Sequence, residues 1–419
     1  MPDVLRDDVR GASRFAIRAG RVVLERDVLR DGVVVVEDGR IAAVAPSGTG
    51  LAAGLPTLSF PTGTLLPGMI DIHVHGYGGW RVGSEDAPAE SVRGMRRALA
   101  ATGVTGFLPT IATTSDDVML AAVRAVAVET DRAVAGGPDR DGVGPDRDGG
   151  ARVFGSHLEG PYLNPVRKGA MRADLMRRPD VAHFERAWEA SEGTVRYLTL
   201  APELDGAGEL IDHLVARGVV VSTGHTDATA LQTRDAFVRG VRSVTHLFNA
   251  MRGLHHREPG VVGAALTSGA PMVELIADGV HVHPDVLRLA IAAKGADRVI
   301  VVSDTGRYAG MASGTYEEPA RTIVVDGVRC AYPDGTLAGS ASPMHRNVAL
   351  LRDAVGRSWT EIATMTATNP AELLGIGHRT GRLLSGLDAD LFVLDERDEV
   401  ACTLVRGRPV HPTEDHAGR

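Results

Sequence analysis

Two histidines one residue apart, His73 and His75, are the first side chains in the sequence that suggest chemistry. They lie at the end of a short apolar segment, Met69–Val74, which a Pro-Gly pair precedes and a glycine-rich stretch follows. Such a segment is typical of a buried β-strand. Side chains at positions i and i+2 of a strand point to the same face, so both imidazoles can reach one point. Two converging nitrogen donors favour a transition-metal site; the alternative is a pair of structural histidines in a turn.

Further candidate ligands follow other apolar segments of the chain, and they are Glu159, His225, His246 and Asp304. Burying so many polar groups without partners would cost several kcal/mol, and metal coordination removes that cost. A metal ion lowers the pKa of a water molecule that it binds to about 7. Asp304 is placed to take a proton from that water and to pass it to a leaving group. This set predicts hydrolysis of a polarised carbonyl or a similar centre.

The elements that must position these side chains alternate between strand and helix patterns from residue 65 onward. The strand candidates are residues 69–74, 105–111, 152–157, 195–200, 219–223, 243–246, 272–277 and 299–303. Eight strand–helix units in about 300 residues predict a (β/α)₈ barrel of the TIM type. A doubly wound open sheet is the alternative. Polar residues that follow many different strands favour the barrel, because barrel active sites collect the carboxyl ends of the strands.

The two ends of the chain carry β-strand patterns, and each end is too small for a stable sheet of its own. We therefore expect residues 1–64 and 378–419 to form one small discontinuous β-sandwich domain beside a barrel that spans residues 65–377. Residues 32–44 predict two strands around a Glu-Asp-Gly turn. Residues 138–149 repeat a set of turn formers and predict a loop.

The composition excludes several classes of protein. The 419 residues carry a net charge of −8 with both signs mixed throughout, which argues against nucleic-acid binding. No apolar run approaches the length of about 18 residues that a membrane span needs. The two cysteines, Cys330 and Cys402, have no metal-binding or redox spacing, and the N-terminal residues lack the apolar region of a secretory signal. We expect a cytoplasmic protein.

These residues, in this order, resemble the amidohydrolase superfamily. Residues 67–76 are similar to its first-strand signature, and residues 381–393 to its C-terminal signature. Three further stretches resemble the N-acetylglucosamine-6-phosphate deacetylase family within it: residues 157–169, residues 245–251 continuing to 257–260, and residues 276–283 together with 302–304. The resemblance extends over nearly the whole chain, to about residue 410. It implies the barrel of the amidohydrolase type and hydrolysis of the N-acetyl group of an amino-sugar 6-phosphate, with N-acetylglucosamine 6-phosphate as the first candidate.

The resemblance also implies a role for each candidate ligand. The metal ion kept throughout the family would be held by Glu159, His225 and His246. His73 and His75 would help to bind a second ion. One or two divalent ions are thus expected, Zn²⁺ first, with Fe²⁺, Mn²⁺ or Co²⁺ as alternatives. Asp304 would act as the general base and then as the acid that protonates the amine.

Substrate contacts follow from the same resemblance. Asn249 and the backbone of Ala250 would contact the sugar phosphate, and His281 would contact the substrate near the phosphate or the sugar hydroxyls. Arg257 would reach the phosphate in a neighbouring subunit, which implies a homodimer. A guanidinium is always charged and grips phosphate with a planar fork. An ordinary solvated surface arginine is the alternative for Arg257.

Two departures from the family pattern affect the expected substrate. Met171 stands where the family usually has a histidine that is thought to polarise the amide carbonyl, a loss of about 3 kcal/mol unless a second metal compensates. Arg307 and Tyr308 stand where small residues are usual. Met171, Arg307 and Tyr308 together motivate a second hypothesis, a divergent paralogue that deacylates another N-acyl amino sugar or a specialised metabolite. A third hypothesis is a non-catalytic sugar-phosphate-binding protein, against which the full set of ligands argues.

Overall fold

The computed structural model describes residue 9 and residues 12–84, 88–131, 149–318 and 321–411. Almost all of the loop predicted at residues 138–149 lies outside the described residues. Within them, the chain forms a barrel of parallel strands, a seven-stranded sheet and a four-stranded sheet.

Eight parallel strands form the barrel and pair with one another in chain order. They are Met69–Val74, Val104–Ala112, Ser156–Glu159, Val195–Leu200, Val220–Thr223, Ser243–Val244, Met272–Ile276 and Val299–Val302. A short strand, Arg152–Val153, adds to the second. The amide of Asp304 donates to the carbonyl of His73 at 2.9 Å, which links the end of the eighth strand to the first. The predicted barrel is confirmed, and the open sheet is wrong because the strands come round to meet each other.

Helices follow most of the barrel strands and cover the outside of the barrel. They are Pro88–Ala100, Asp116–Glu129, Val181–Ala190, Ala207–Ala216, Ala230–Val238, Gly260–Thr267 and Pro284–Lys294, then Met344–Asp353, Trp359–Ala363, a π-helical turn Thr364–Thr368, and Asn369–Leu373. Buried apolar side chains of strands and helices, such as Phe107 and Leu99, form the largest core cluster. No helix in the described part of the chain has the length and apolar character that a membrane crossing requires.

Both chain ends contribute to the seven-stranded sheet. In spatial order its strands are Arg408–His411, Val400–Val405, Leu391–Leu394, Thr57–Pro67, Arg14–Val23, Val28–Glu37 and Arg40–Pro46. The central strand, Thr57–Pro67, pairs in parallel with an N-terminal strand and antiparallel with a C-terminal one. The prediction that the two ends build one β unit is confirmed. The turn expected within residues 32–44 lies between Glu37 and Arg40, as predicted.

A four-stranded antiparallel sheet, which the sequence analysis did not predict, follows the eighth barrel strand. Its strands are Gly314–Glu318, Arg321–Asp326, Arg329–Ala331 and Leu337–Ser340. An Asp-Gly pair at residues 326–327, between two β-rich segments, is the hairpin signal that could have identified it. Side chains of this sheet line the same cavity as the ends of the barrel strands, so it forms one wall of the barrel mouth.

Two short strands, Gly76–Tyr77 and Trp80–Arg81, form a hairpin directly after the first barrel strand. The amide of Val82 donates to the carbonyl of His75 at 3.2 Å, and the amide of His75 donates to the carbonyl of Thr305 at 2.9 Å. These bonds fix the loop after the first strand against the loop after the eighth. The side chains of both loops therefore have defined positions at the mouth.

Candidate active site

The predicted ligands and the predicted base all lie at the carboxyl ends of barrel strands, and all of them except the fully buried His73 line a cavity of about 1200 Å³. Histidine and carboxylate side chains from the first, third, fifth, sixth and eighth strands or the residues that follow them meet there. They form two groups with metal-ligand geometry, His73, His75 and Asp304 in one, and Glu159, His225 and His246 in the other. The structure thus brings together six residues that lie as far as 231 positions apart.

Glu159, His225 and His246 form the more compact group, and all three are buried. Oε1 of Glu159 lies 3.0 Å from Nε2 of His225 and 3.1 Å from Nε2 of His246. The two Nε2 atoms are themselves 3.1 Å apart. Ligand atoms around one ion, with metal–ligand distances of about 2.0–2.2 Å, have neighbour distances near these values.

His73, His75 and Asp304 form the second group, next to the first. Oδ1 of Asp304 lies 3.3 Å from Nε2 of His75 and 3.5 Å from Nε2 of His73. Glu159 lies between the groups, because its Oε1 faces the first group while its Oε2 is 3.1 Å from Nε2 of His75. A carboxylate with one oxygen toward each group is suited to holding one ion or to bridging two.

In His75 and His225, the hydrogen bond made by Nδ1 fixes which ring nitrogen faces the site. Nδ1 of His75 donates to the carbonyl of Thr110 at 3.0 Å, and Nδ1 of His225 donates to the carbonyl of Arg167 at 2.9 Å. A carbonyl only accepts, so these Nδ1 atoms carry protons and the Nε2 atoms present lone pairs in the neutral rings. This second layer of hydrogen bonds is what metal-ligating histidines usually have.

Three buried atoms of the site have no hydrogen-bond partner among the described residues: Nε2 of His73, Oε2 of Glu159 and Nδ1 of His246. The first two lie where the two groups meet, since Nε2 of His73 is 3.5 Å from Oε1 of Glu159 and Oε2 of Glu159 is 3.1 Å from Nε2 of His75. A buried polar atom without a partner is costly, and a cation between the two groups would satisfy Nε2 of His73 and Oε2 of Glu159. The donor set of nitrogens and carboxylate oxygens therefore fits one or two divalent transition-metal ions.

The buried carboxylates of the site stabilise positive charge on or between the neighbouring histidines. Burial acts to lower the pKa of His75, but Asp304 and Glu159 beside it raise that pKa to about 9. Burial acts to raise the pKa of Asp304, but His73 and His75 hold it below its ordinary value. Glu159 and Asp304 thus stay ionised, and His73 and His75 bind protons when no metal is present. A metal ion would replace those protons.

Glu274 is a buried residue of the site that the sequence analysis missed. It lies in the seventh barrel strand, and its Oε2 accepts from Nδ1 of His73 at 3.0 Å and from the backbone amide of His246 at 3.1 Å. Its Oε1 accepts from the hydroxyl of Tyr197 at 2.5 Å. Glu274 therefore orients one member of each group. The signal that could have identified it is a single carboxylate inside an otherwise apolar strand, Met272–Ile276.

Strained backbone is concentrated at the same place. His225, His246 and Asp304 have φ values of 47°, 31° and 47°, in the left-handed region that non-glycine residues rarely adopt. Phe248 and Ala250, which follow His246, have φ values of 81° and 48°. Each such residue costs about 1–3 kcal/mol and persists where the surrounding structure holds it. The strand ends are therefore bent to aim these side chains at the cavity.

The residues predicted to contact substrate divide into two sets. Asn249, Ala250 and His281 line the cavity, and Nδ1 of His281 lies 2.7 Å from Oδ2 of Asp278. Arg257 does not line it: it is exposed, with Nη1 2.7 Å from Nε2 of His256 in the next position. The residues that depart from the family pattern, Met171, Arg307 and Tyr308, do line the cavity.

Comparisons with known proteins agree with this geometry. The model of the amidohydrolase family matches residues 64–410. An N-acetylglucosamine-6-phosphate deacetylase of Bacillus subtilis (strain 168) is 36% identical over 400 residues, which cover 94% of this chain and 97% of that relative. An N-acetylgalactosamine-6-phosphate deacetylase of Escherichia coli O157:H7 is 35% identical over 94% of this chain and 98% of its own length.

A solved structure shares the whole architecture. A mutant N-acetyl-D-glucosamine-6-phosphate deacetylase of Mycobacterium smegmatis, in complex with N-acetyl-D-glucosamine-6-phosphate, superposes with a TM-score of 0.83. It is 33% identical in sequence, and the match covers 95% of this chain and 100% of that one. The likeness therefore includes the barrel and the sheet formed by the two chain ends.

Proposed function

The chain belongs to the amidohydrolase family, and from this premise we propose that it hydrolyses the N-acetyl group of an amino-sugar 6-phosphate, with N-acetylglucosamine 6-phosphate as its substrate. The products are acetate and the amino-sugar 6-phosphate. The observation that carries the proposal is the pair of metal-ligand groups that share Glu159 beside Asp304. The relatives named as deacetylases over nearly their whole length support the substrate class and argue against a non-catalytic binding protein.

Glu159, His225 and His246 would hold one divalent ion, and His73 and His75 would contribute to a second. When bound, such an ion lowers the pKa of water and polarises the acyl carbonyl. The unpartnered Nε2 of His73 and Oε2 of Glu159 support this assignment. Zn²⁺ suits nitrogen and carboxylate donors, and Fe²⁺, Mn²⁺ and Co²⁺ are the alternatives.

Asp304 is the proposed general base. Its pKa is held low by His73 and His75, so the carboxylate is ionised and can accept a proton from the attacking water. As the bond from water oxygen to the acyl carbon forms and the C–N bond breaks, Asp304 delivers that proton to the amine nitrogen. The imidazoles of His73 and His75 orient Oδ1 of Asp304 toward the reacting centre.

Asn249, the backbone of Ala250 and His281 would bind the sugar phosphate from the side of the sixth and seventh strands. Arg257 is exposed in this chain, which is compatible with the proposed homodimer in which it reaches the neighbouring active site. Met171 lines the cavity, and its thioether offers no hydrogen-bond donor to the acyl oxygen. We also propose a cytoplasmic location, which the two free cysteines support.

The N-acetylgalactosamine 6-phosphate of the second relative is the competing substrate, since the two relatives are almost equally similar to this chain. Acetate release should be measured from the glucosamine, galactosamine and mannosamine forms, each with and without phosphate, using metal-loaded protein. We expect the highest kcat/KM for N-acetylglucosamine 6-phosphate and loss of activity on chelation. Absence of acetate release with every metal would refute the proposal. Equal rates without phosphate would refute the phosphate contacts of Asn249 and Arg257.

A further inference from the structure

Asp278 is a buried carboxylate beside the cavity, and the proposed reaction gives it no role. It lies just beyond the seventh barrel strand, Met272–Ile276, and its side chain is 0% exposed. Hydrogen bonds converge on both of its oxygens, from its own loop and from the four-stranded sheet. One of the donors is His281, which we propose to bind the sugar phosphate. The contacts of Asp278 therefore bear on how that imidazole is presented to a substrate.

The two oxygens of Asp278 make different kinds of contact. Oδ1 accepts from the backbone amides of Val280 and His281 at 2.9 and 2.8 Å, which shapes the turn after the strand. Oδ2 accepts from Nδ1 of His281 at 2.7 Å and from the hydroxyl of Ser340 at 2.8 Å. One oxygen therefore shapes the backbone and the other orients a side chain, so a substitution can separate the two roles.

The bond to Oδ2 decides which nitrogen of His281 is left for a ligand. An ionised carboxylate only accepts, so Nδ1 carries a proton. His281 lines the cavity and Asp278 does not, so Nε2, on the far side of the ring from Asp278, is the nitrogen that a ligand can reach.

The two side chains are also stabilised as an ion pair. Burial acts to lower the pKa of His281, but Asp278 and then Asp304 raise it above its ordinary value. Burial acts to raise the pKa of Asp278, but His281 lowers it below its ordinary value. Charge on the imidazole puts a proton on Nε2 as well, and a charged N–H donor makes a strong hydrogen bond to phosphate.

Ser340 connects this pair to the loop of Asp304. Its backbone amide donates to the carbonyl of Asp304 at 2.9 Å. Its Oγ accepts from the amide of Ser342 at 3.0 Å, which leaves the hydroxyl proton for Oδ2 of Asp278. Ser340 is itself buried. One residue thus holds both the backbone of the proposed base and the carboxylate that orients His281.

The proposed substrate needs both ends of this arrangement. The amide nitrogen and the phosphate of an amino-sugar 6-phosphate are attached at different sides of one sugar ring. When the amide lies at Asp304, the group that contacts the phosphate must therefore lie at a set distance from that base. The buried connection from Asp304 through Ser340 and Asp278 to His281 fixes such a distance.

We propose that Asp278 and Ser340 are positioning residues, which hold Nε2 of His281 toward the cavity at a fixed place relative to Asp304, so that the imidazole binds the phosphate of the amino sugar. This inference rests on the proposed function and specifies how its phosphate contact is held. Neither positioning residue touches the substrate, and both act through His281.

The test measures the Kd of the metal-loaded protein for glucosamine 6-phosphate by titration calorimetry, which does not depend on turnover. Asp278→Asn keeps an oxygen for the two backbone donors but places an NH₂ group at the position of Oδ2, and that group donates to Nδ1 instead of accepting from it. The imidazole then loses its charge, and Kd should rise about five- to tenfold. An unchanged Kd would overturn the proposal.

A double-variant cycle separates positioning from a general structural role. His281→Ala should raise Kd about tenfold or more. In that background Asp278→Asn removes only a negative charge near the phosphate, so Kd should stay the same or fall. Equal rises with and without His281 would mean that Asp278 acts on the fold, and they would overturn the proposal.

Ser340→Ala is the second variant, because it removes one donor to Oδ2 and leaves the charge of Asp278 in place. It should raise Kd about two- to fivefold, again only when His281 is present. This cycle decides the question if the midpoint of thermal unfolding shows that the Asp278 variant is not folded, and an unchanged Kd would then overturn the proposal. Asp116→Asn is the matched control and should leave Kd unchanged. Its carboxylate also pairs with a histidine, at 3.0 Å from Nε2 of His183, but neither residue lines the cavity.

The two proposals fail in distinguishable ways. Acetate release from N-acetylglucosamine 6-phosphate together with equal effects in both backgrounds would refute only the positioning role. The expected cycle without acetate release would refute the hydrolysis and retain the phosphate contact. Absence of glucosamine 6-phosphate binding by the natural chain would overturn the inference whatever the activity.

Discussion

Two buried polar clusters lie at the two ends of one short stretch of chain, and they compensate their charges in opposite ways. At its start, Arg152 lies 2.9, 3.0 and 2.6 Å from carboxylate oxygens of Asp131, Asp388 and Asp390. At its end, Glu159 lies among histidines and Asp304. The first cluster joins the barrel to the segment that returns to the seven-stranded sheet, and the second opens into the cavity.

In the Arg152 cluster, the chain supplies both signs of charge. Arg379 and Arg406 add two more guanidinium groups, 3.1 Å from Asp388 and 2.6 Å from Asp131. Arginine cannot lose its charge in the accessible pH range, so three aspartates face three permanent cations. In the Glu159 cluster, compensation depends on protons that histidines can exchange for a metal ion. A buried polar cluster therefore indicates a functional site when the chain leaves its charge balance to an exchangeable cation.

The largest effect that separates the clusters is expected from Asp304→Asn. The amide cannot take a proton from water, and loss of a general base typically lowers kcat by about 10²–10⁴-fold. The measurement is acetate release by metal-loaded protein, with the midpoint of thermal unfolding as a check on the fold. Asp326→Asn, on the exposed hairpin of the four-stranded sheet, is the matched control and should retain activity. Full activity of the Asp304 variant would exclude it as the base.

Arg152→Met should produce the opposite pattern. Removing the central cation leaves three buried aspartates without their shared partner, and breaking a buried ion pair costs about 3–5 kcal/mol in the free energy of unfolding. Chemical denaturation measures this loss, and kcat of the folded fraction should be unchanged. Arg239→Met on the surface should change the free energy of unfolding by about 0.5 kcal/mol or less. A stable Arg152 variant with low kcat would contradict the division between the clusters.

The sequence predicts the functional cluster much better than the structural one. His73 and His75 indicate a site because two histidines on the same face of a strand can bind one metal ion. Glu159 is a further candidate ligand because it lies at the end of another strand. Arg152 and its aspartates carry no such signal, because arginine and aspartate are common and their pairing spans residues 131 to 390. Glu274 was missed because its role comes from a contact across the barrel, between strands one and seven.

The fold shows the same division. The barrel could be predicted because strand and helix patterns alternate along about 300 residues. The spacing of apolar residues that defines each pattern is a local property of the sequence. The four-stranded sheet was missed because its strands are short and its outer face is exposed, so alternation is weak: the strand Gly314–Glu318 has no fully buried residue. Glu318 and Arg321 belong to that sheet, so their position at the cavity became visible only in three dimensions.

Glu274→Gln should weaken metal binding by about 10–100-fold, the usual range for partners of metal ligands. The amide removes the negative charge that Nδ1 of His73 and the amide of His246 both face. Competition with a chelator of known affinity measures the change. Glu129→Gln is the matched control, because Glu129 is also buried but accepts from Arg93 and Arg96, away from the site. Unchanged metal affinity in the Glu274 variant would show that orientation of His73 does not limit binding.

The smallest expected effect is the pH dependence that Asp131 gives to the stability of the Arg152 cluster. Burial acts to raise the pKa of Asp131, but Arg152 and Arg406 hold it below its ordinary value. A carboxylate whose pKa is lower in the folded state contributes stability that is present above its unfolded pKa, about 3.9, and is lost as pH falls through the folded value. The difference in the free energy of unfolding between the natural chain and Asp131→Asn should therefore be constant from about pH 5 to 7 and shrink below about pH 4. This difference should be smaller than the effect of Arg152→Met, because Arg152 keeps its contacts with Asp388 and Asp390 in the Asp131 variant.

Asp116→Asn, which removes a more exposed aspartate paired with Arg186, should show a weaker form of the same dependence because solvent screens that pair. A difference for Asp131→Asn that stays constant down to pH 3 would mean that its charge does not stabilise the cluster, and the contrast with the exchangeable charges around Glu159 would lose its basis.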